Sequence, residues 1–302
     1  MLTSLVVMVG YRCNLRCSYC FNETHEDSVG YQQKHASGGR DVAWGREVIA
    51  RVVEEAAATG YRRLVLTGGE PLLYPETLDW IELGASAGLR VNLITNLTAV
   101  DTHVVRALSK AGARASLRVS VGGYDRSTHQ RYRQGWDAMR RGLSLVKPVG
   151  NELHFSLVLT RSMLAHLTRY EAFALAEGAR PHIAALSPGR PGVVPATELL
   201  AEASRAEWEE AEKSVTDALL RRELSLLKGM YLASLRPRTC SMRTKAHVLL
   251  PNGDLVGCFH RLDLDYGNVL AGNLGCLLKG VNIDRALPAD CIGEHCFTNH
   301  YD

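Results

Sequence analysis

Three cysteines near the start of the chain have the spacing that points most directly to chemistry. Cys13, Cys17 and Cys20 follow a CxxxCxxC pattern on one short segment. Three thiolates at this spacing can hold three irons of a cubane [4Fe-4S] cluster and leave the fourth iron open to a small molecule. An open iron predicts catalysis in addition to electron storage.

Zinc sites and disulfides also use closely spaced cysteines. Zinc usually takes four ligands from paired motifs, and no second CxxC or HxxxH pair follows within the next 200 residues. Disulfide frameworks are typical of short secreted chains, whereas this one has 302 residues and only eight cysteines. No leader of signal-peptide form is evident, so we expect a reducing, cytoplasmic setting.

The residues around these cysteines resemble a known family. The stretch from Tyr11 to Asn22, with the aromatic Tyr19 just before the third cysteine, is similar to the signature of the radical S-adenosylmethionine (SAM) enzymes. The resemblance implies that a [4Fe-4S] cluster on the three cysteines binds SAM and that Tyr19 contacts it. It also implies an electron donor of the flavodoxin or ferredoxin type.

A second segment strengthens the resemblance. Gly68, Gly69, Glu70 and Pro71 follow an apolar strand and resemble the GGEP motif of the same family. Glycines at a strand end let the backbone approach a ligand closely, and a carboxylate can pair with an ammonium group. By resemblance, Gly69 and Glu70 meet the methionyl amine of SAM, with Gly68 beside them.

Further SAM contacts are implied at the ends of later strands. Asn96 stands in a segment similar to the family's TNG motif, with Leu97 in place of the usual glycine, and is predicted to contact the ribose. Ser120 and Arg133 lie in segments that resemble those handling the ribose and carboxylate. Gly122 stands where the family commonly has aspartate.

The C-terminal hundred residues carry five more cysteines. The order Cys240-x12-Gly253-x4-Cys258 resembles the opening of the SPASM and twitch auxiliary-cluster domains. Pro251-Asn252-Gly253-Asp254 between two apolar runs predicts a β-hairpin. One additional [4Fe-4S] cluster needs four ligands, and Cys240, Cys258, Cys291 and Cys296 would supply them. A structural zinc on the same four thiolates remains an alternative.

This assignment leaves Cys276 as the single remaining cysteine. A spare cysteine is usually a small buried hydrophobe, and Cys276 could also be a cluster ligand in place of Cys291. In a radical enzyme, a thiol near the substrate can instead return a hydrogen atom to a carbon radical. That role for Cys276 predicts an epimerase.

Repeated strand and helix patterns must position these groups. Short apolar runs predict six buried parallel strands, at Leu5 to Val9, Leu64 to Thr67, Val91 to Thr95, Leu117 to Val121, Phe155 to Leu159 and Ile183 to Leu186. Helical spacing predicts helices at Trp44 to Thr59, Glu76 to Ala87, Asp101 to Ala111, Trp136 to Val146 and Thr168 to Glu177. The alternation predicts an α/β fold, as in the family's partial (βα)6 TIM-like barrel over residues 1–200. Residues 201–302 would form a helical linker and a small α+β auxiliary-cluster domain.

Two loops in this scheme have open interpretations. The segment from Glu23 to Arg40 is long for a connection and either covers the substrate or is a disordered excursion. The glycine- and proline-rich segment from Ser187 to Gly192 is either a surface loop or the loop that receives the adenine of SAM.

Composition agrees with a compact enzyme. The chain is 46% hydrophobic and 22% charged, with a net charge of +3, and shows no basic stripe or apolar run that would predict nucleic-acid or membrane binding. Peptide-maturing relatives often carry a binding module ahead of the first strand. Because this strand begins almost at Met1, the sequence favours a small-molecule partner such as a sugar, aminocyclitol or aminoglycoside.

The predicted reaction is hydrogen-atom abstraction by a SAM-derived radical, followed by epimerisation. Two alternative activities remain open, a dehydrogenase that passes an electron to the auxiliary cluster and a peptide-modifying maturase. A non-catalytic iron-sulfur sensor is a third possibility.

Overall fold

A single mixed sheet organises the part of the chain that the computed structural model describes, residues 4–20, 44–186, 194–233, 246–258 and 261–279. Its nine strands lie in the order β6-β5-β4-β3-β2-β1-β7-β8-β9. The strands are β1 (Ser4–Met8), β2 (Arg63–Thr67), β3 (Arg90–Thr95), β4 (Ala115–Val121), β5 (Glu152–Leu159), β6 (Arg180–Ala185), β7 (Ala246–Leu249), β8 (Asp254–Cys258) and β9 (Arg261–Asn268). Strands β1 to β6 are parallel neighbours, so the predicted six-stranded partial barrel is confirmed.

Helices connect consecutive parallel strands. The helices are α1 (Arg46–Thr59), α2 (Glu76–Ser86), α3 (Thr102–Ala111), α4 (Arg126–Gln130), α5 (Trp136–Val146), α6 (Arg161–Leu164), α7 (Leu167–Ala176), α8 (Arg205–Ser214), α9 (Ala218–Ala233) and α10 (Leu274–Lys279). The five predicted helices agree with α1, α2, α3, α5 and α7 within two residues at each end. No helix among the described residues is long and apolar enough to cross a membrane.

Two strands begin three residues earlier than the sequence predicts, and the other four parallel strands begin one or two residues earlier. β5 starts at Glu152 and β6 at Arg180, each three residues before the predicted start. Their first residues alternate between polar and apolar side chains, as in Glu152 to Phe155. The prediction relied on uninterrupted apolar runs and therefore detected only the second half of each strand.

The sheet has an outer face toward the helices and an inner face on the opposite side. In β4, Leu117 and Val119 belong to the main core with the helices, whereas Arg118 and Ser120 alternate with them on the inner face. The inner face is apolar where β1, β2, β7 and β8 meet and is packed by a separate cluster there. That cluster consists of Val6, Met8, Val65, Ala246, Val248, Leu250 and Val256.

On β4 and β5 the inner face carries several polar side chains, and one chain of side chains runs from β5 to α9. His154 Nδ1 lies 2.9 Å from His182 Nε2, and His182 Nδ1 lies 2.6 Å from the Glu223 carboxylate. Burial and the neighbouring His182 lower the pKa of His154 to about 4. Glu223 also accepts a hydrogen bond from the backbone N–H of Ile183. Helix α9 thereby satisfies a backbone donor of β6, the terminal strand of the sheet.

The C-terminal strands continue the same sheet. β7 pairs in parallel with β1, with Ser4 opposite Ala246, and β8 returns antiparallel to β7. The predicted hairpin is therefore present, with Gly253 at its turn in the left-handed region, φ 91°. The division into two domains near residue 200 stays a prediction.

Candidate active site

The CxxxCxxC cysteines lie on the loop that follows β1, at the carboxyl edge of the parallel strands. Active groups gather at this edge in barrels of this type. Cys17 is buried, whereas Cys13 and Cys20 are partly exposed. The backbone N–H of Leu15 donates to Cys13 Sγ at 3.4 Å, and that of Cys20 donates to the Cys17 carbonyl at 3.1 Å. We call residues 10–20 the cysteine loop.

The predicted GGEP motif lies directly against the cysteine loop. Backbone N–H groups of Gly69 and Glu70 donate to the carbonyls of Gly10 and Arg12, both at 2.9 Å. A Cβ atom on Gly69 would lie 2.2 Å from the Arg12 oxygen. The close approach explains why glycine is required here and joins the two motifs through backbone contacts.

The Glu70 side chain is committed to the neighbouring strand end. It is 1% exposed, and its carboxylate accepts from Thr95 Oγ1 at 2.5 Å, from the Asn96 N–H at 2.7 Å and from the Leu72 N–H at 3.1 Å. Burial raises the pKa of Glu70, while these donors oppose the rise. The carboxylate thus fastens the loop after β2 to the end of β3. Its predicted contact with the SAM amine stays a prediction.

Asn96 connects this carboxylate to the cysteines. Its side-chain Nδ2 donates to Asn14 Oδ1 at 3.0 Å and to Cys13 Sγ at 3.9 Å. Its Oδ1 accepts from both the backbone N–H and the hydroxyl of Thr98. The described side-chain contacts of Asn96 therefore go to the cysteine loop and the following turn, and the ribose contact stays a prediction.

The turn after β3 forms without the glycine that the family usually has there. Leu97 adopts φ 61°, the left-handed region, at a cost of about 1–2 kcal/mol for a residue with a side chain. Its side chain is fully buried, and its N–H donates to Thr95 Oγ1 at 2.9 Å. Gly142 of α5 makes room for the turn, since a Cβ there would lie 2.1 Å from the Leu97 oxygen.

The segment after β4 holds the other side of the cysteine loop. The Ser18 N–H donates to the Tyr132 carbonyl at 3.0 Å, and the Arg16 N–H donates to Gln134 Oε1 at 3.0 Å. His129 fixes this segment, because its Nδ1 accepts from the Gly122 N–H. Burial and the nearby Arg133 lower the pKa of His129 to about 4, so the ring is neutral near pH 7.

Arg133, predicted to handle the SAM carboxylate, lies beside the cysteines. Burial lowers the pKa of Arg133, but Tyr19 and the thiols of Cys17, Cys20 and Cys13 raise it by more. The net result is a raised pKa. Among the described residues, Tyr19 Oη and Arg133 Nε are buried without a hydrogen-bond partner. Ser120 lies near the carboxyl end of β4 on the inner face. The roles of these three residues toward SAM stay predictions.

The structure fits a cluster at the cysteine loop. Three thiols are carried by one loop, backbone and amide N–H groups donate to Cys13 Sγ, and the cationic Arg133 lies close to all three. Thiolate ligands with N–H donors and a nearby positive charge are the surroundings that iron-sulfur clusters use.

Sequence analysis missed several residues that hold this loop. Tyr74 accepts a hydrogen bond from the Arg12 N–H at 2.6 Å, and its ring fills the space beside Gly10. Hydrogen bonds that hold the cysteine loop or the strand ends beside it also involve Gln134, Thr95 and Thr98. Tyr74, Thr95 and Thr98 stood next to recognised motifs, but Gln134 meets Arg16 across 118 residues of sequence, for which no local signal exists.

The remaining predicted cysteines do not join this loop. Cys258 is buried at the end of β8 and, because β8 runs antiparallel to β7, lies at the amino edge of the sheet. Cys276 is exposed on α10, which packs on the C-terminal half of α1 through the Leu274 N–H and Glu55, 2.8 Å apart. Cys240, Cys291, Cys296 and the two loops with open interpretations lie outside the described residues.

The position of Cys276 gives no support to its predicted role as hydrogen donor. A donor thiol must reach the substrate beside the open iron at the carboxyl edge. The connection from α1 to β2 lies at the amino edge, and the helix layer separates α10 from the inner face. The role of Cys276 as hydrogen donor stays a prediction.

A family model decides the assignment. The model of the Radical SAM superfamily matches residues 7–164, just over half of the chain and the part that carries the cysteine loop and the GGEP motif. The chain belongs to the radical SAM superfamily. It accordingly uses a [4Fe-4S] cluster and SAM, as the sequence predicted.

Curated relatives in this superfamily have several activities. The chain is 28% identical over 160 residues to AdoMet-dependent heme synthase from Methanosarcina barkeri, covering 52% of this chain and 42% of that protein. It is 28% identical over 246 residues to PqqA peptide cyclase from Granulibacter bethesdensis, covering 78% and 61%. It is 30% identical over 146 residues to GTP 3',8-cyclase from Microcystis aeruginosa, covering 46% and 42%. The chain thus spans between 42% and 61% of the length of these relatives.

Solved structures share the fold. Streptococcus suis SuiB bound to S-adenosylmethionine superposes with a TM-score of 0.70 at 17% identity, over 91% of this chain and 65% of that one. The enzyme anSMEcpe with bound AdoMet gives a TM-score of 0.65 at 20% identity, over 93% and 81%. The predicted fold class is confirmed.

Proposed function

We propose that this radical SAM enzyme modifies a peptide. The observation that carries the proposal is the extent of its likeness to PqqA peptide cyclase. That likeness runs over 246 residues, compared with 160 for the heme synthase and 146 for the GTP cyclase. It therefore extends beyond the part of the chain that the superfamily model matches.

The fold is compatible with such a substrate. SuiB has been solved bound to its precursor peptide SuiA, and that structure superposes on 98% of this chain with a TM-score of 0.70. The enzyme anSMEcpe has been solved with the Cp18Cys peptide. The inner face of this protein carries polar side chains, among them Ser116 and Ser120 on β4 and Ser156 on β5, and hydroxyl groups suit the amide groups of a peptide.

This proposal replaces the first prediction of a small-molecule epimerase. The reported relatives include peptide cyclases, and Cys276 lies away from the cysteine loop, so the evidence favours the peptide-modifying alternative over epimerisation of a sugar, aminocyclitol or aminoglycoside. It also favours that alternative over the dehydrogenase of a secondary alcohol.

Different residues would bind the cluster and SAM. Cys13, Cys17 and Cys20 hold the cluster, which when bound supplies one electron for cleavage of SAM to a 5′-deoxyadenosyl radical. Gly68, Gly69 and Arg133, which lie against the cysteine loop, would contact SAM beside the cluster. An auxiliary cluster involving Cys258, together with a flavodoxin- or ferredoxin-type donor, stays part of the proposal.

The test is turnover of peptides under anaerobic conditions. The reconstituted, reduced protein is incubated with SAM and a pool of short ribosomal peptides, and 5′-deoxyadenosine and peptide masses are measured. We expect a peptide that loses two hydrogens as 5′-deoxyadenosine forms. The matched control is Cys17→Ala, which removes one cluster ligand and should abolish both signals.

A different outcome would overturn the peptide assignment. If 5′-deoxyadenosine forms faster with sugars or aminocyclitols, and those molecules are altered while every peptide keeps its mass, the substrate is a small molecule. If no 5′-deoxyadenosine forms from SAM under any condition while the cluster is present and reducible, the protein is a sensor.

A further inference from the structure

We propose that Asn96 raises the reduction potential of the cluster by donating an N–H···S hydrogen bond to the ligand Cys13. The inference rests on membership of the superfamily and does not depend on the peptide substrate proposed above. It gives Asn96 a positioning and tuning role that differs from the predicted ribose contact.

The sulfur of Cys13 receives two donors among the described residues. The Leu15 backbone N–H lies 3.4 Å from Sγ and the Asn96 Nδ2 lies 3.9 Å from it. Hydrogen bonds to a ligating sulfur withdraw negative charge from it and favour the reduced, more negative state of an iron-sulfur cluster. Loss of the Asn96 donor should therefore lower the potential.

The hydrogen-bond partners determine which end of the Asn96 amide faces the sulfur. The Thr98 backbone N–H lies 2.9 Å from one terminal atom of the amide, and a backbone N–H can only donate. That terminal atom must be Oδ1, which also accepts from the Thr98 hydroxyl at 2.6 Å. The NH2 group is consequently directed toward Cys13 and toward Asn14 Oδ1, 3.0 Å away.

The position of Asn96 is fixed as firmly as its orientation. Its backbone N–H donates to Glu70 Oε2 at 2.7 Å, and the next residue, Leu97, is fully buried with φ 61°. Asn96 itself is only 4% exposed. Water therefore has little room to replace the lost donor, and the side chain cannot turn away without breaking both bonds from Thr98.

The experiment is a redox titration of the loaded protein, followed by electron paramagnetic resonance of the reduced cluster. Asn96→Asp keeps the shape and the acceptor for Thr98 but replaces the NH2 donor by an oxygen and adds a negative charge. Thr98→Val adds no charge and so separates loss of the donor from the effect of the charge. At the potential where half of the parent cluster is reduced, we expect the ratio of reduced to oxidised cluster to fall about tenfold, which for a one-electron couple corresponds to about 59 mV.

A second variant keeps the amide and weakens its orientation. Thr98→Val removes the hydroxyl that donates to Asn96 Oδ1 but retains the backbone N–H. We expect a smaller shift of the potential in the same direction. This variant keeps the inference testable if Asn96→Asp fails to retain its cluster, which iron and sulfide analysis would reveal.

The matched control is another asparagine with three structural hydrogen bonds away from the cluster. Asn151 Nδ2 donates to the carbonyls of Leu108, Gly112 and Ala115 at the amino edge of β4. Asn151→Asp should lower stability and leave the potential unchanged. An unchanged potential in Asn96→Asp and Thr98→Val, with full iron content, would overturn the inference, as would an equal shift in Asn151→Asp. A shift without any peptide turnover would leave it standing and reject only the proposed function.

Discussion

The two edges of the sheet both carry cysteines, but the surroundings of those cysteines differ. At the carboxyl edge, the cysteine loop is bonded to the ends of β2, β3 and the segment after β4. At the amino edge, Cys276 lies exposed on a six-residue helix whose Leu274 N–H donates to Glu55 of α1. The comparison teaches that buried polar groups from consecutive strand ends mark the reactive site, whereas a cysteine alone does not.

The largest expected effect comes from adding one methyl group at the carboxyl edge, and the same addition at the amino edge is the control. In Gly69→Ala the new Cβ would lie 2.2 Å from the Arg12 oxygen, so the GGEP motif and the cysteine loop must separate. We expect cluster content and 5′-deoxyadenosine formation to fall by about a hundredfold. In the control Gly275→Ala, the nearest atoms are side-chain oxygens at 3.1 and 3.7 Å. Both measurements should stay at the parent level there, and equal losses in the two variants would contradict the comparison.

A smaller effect is expected from removal of one buried hydroxyl. Thr95→Val leaves Glu70 Oε1 without its donor at 2.5 Å and the Leu97 N–H without its acceptor. An unsatisfied buried group costs about 1–3 kcal/mol, and we expect SAM to bind about tenfold more weakly in a calorimetric titration.

The control for this prediction is at the amino edge. Thr59 donates its hydroxyl to the Glu55 carbonyl at 2.6 Å, and Thr59→Val should bind SAM with the parent affinity. Unchanged SAM affinity in Thr95→Val would show that the Glu70 network is dispensable.

How far the sequence predicts this arrangement depends on the range of each interaction. Helices and parallel strands can be predicted because they follow from local patterns, and the structure confirms them. The two motifs can be recognised because they depend on residue types at short spacing. The bond between Arg16 and Gln134 and the pairing of β1 with β7 join residues that are far apart in sequence, and neither leaves a local signal. Leu97 shows a further limit of prediction from sequence. Its side chain is buried, and the fold imposes on it a left-handed backbone conformation that residue propensity assigns to glycine.

Acid should destabilise the folded protein through a buried histidine at the amino edge. His247 is fully buried, and its Nδ1 meets the Tyr61 hydroxyl. Burial lowers the pKa of His247 to about 4, from 6.5 in the unfolded chain. Between these values the unfolded state binds the extra proton, so the free energy of unfolding decreases as the pH falls from 6.5 to 4. This histidine should contribute roughly 3 kcal/mol to that decrease.

The variant that isolates this contribution is His247→Gln, which keeps an acceptor for Tyr61. Urea denaturation should show a flatter pH dependence in His247→Gln than in the parent, with the cluster content at neutral pH unchanged. The same substitution at the exposed His103 is the control. An identical pH dependence in His247→Gln and the parent would disprove the assignment.

The smallest expected effect concerns Cys276. Because its thiol is exposed at the amino edge, Cys276→Ala should form 5′-deoxyadenosine and modified product at the parent rate. Cys13→Ala, at the carboxyl edge, should abolish both. A product that carries solvent deuterium in the parent and loses it in Cys276→Ala would restore the hydrogen-donor role and break the contrast between the edges.

The pairing of β1 with both β2 and β7 has a consequence for synthesis of the chain. After β1 has been synthesised, its partner β7 becomes available only when residues 246–249 have been made. At roughly 5–20 residues per second, that delay is about 10–50 s. Until then one side of β1 has open hydrogen-bonding groups, and the thiols lie on a loop that follows an incompletely paired strand. The cysteine loop is therefore synthesised well before the sheet beside it can be completed.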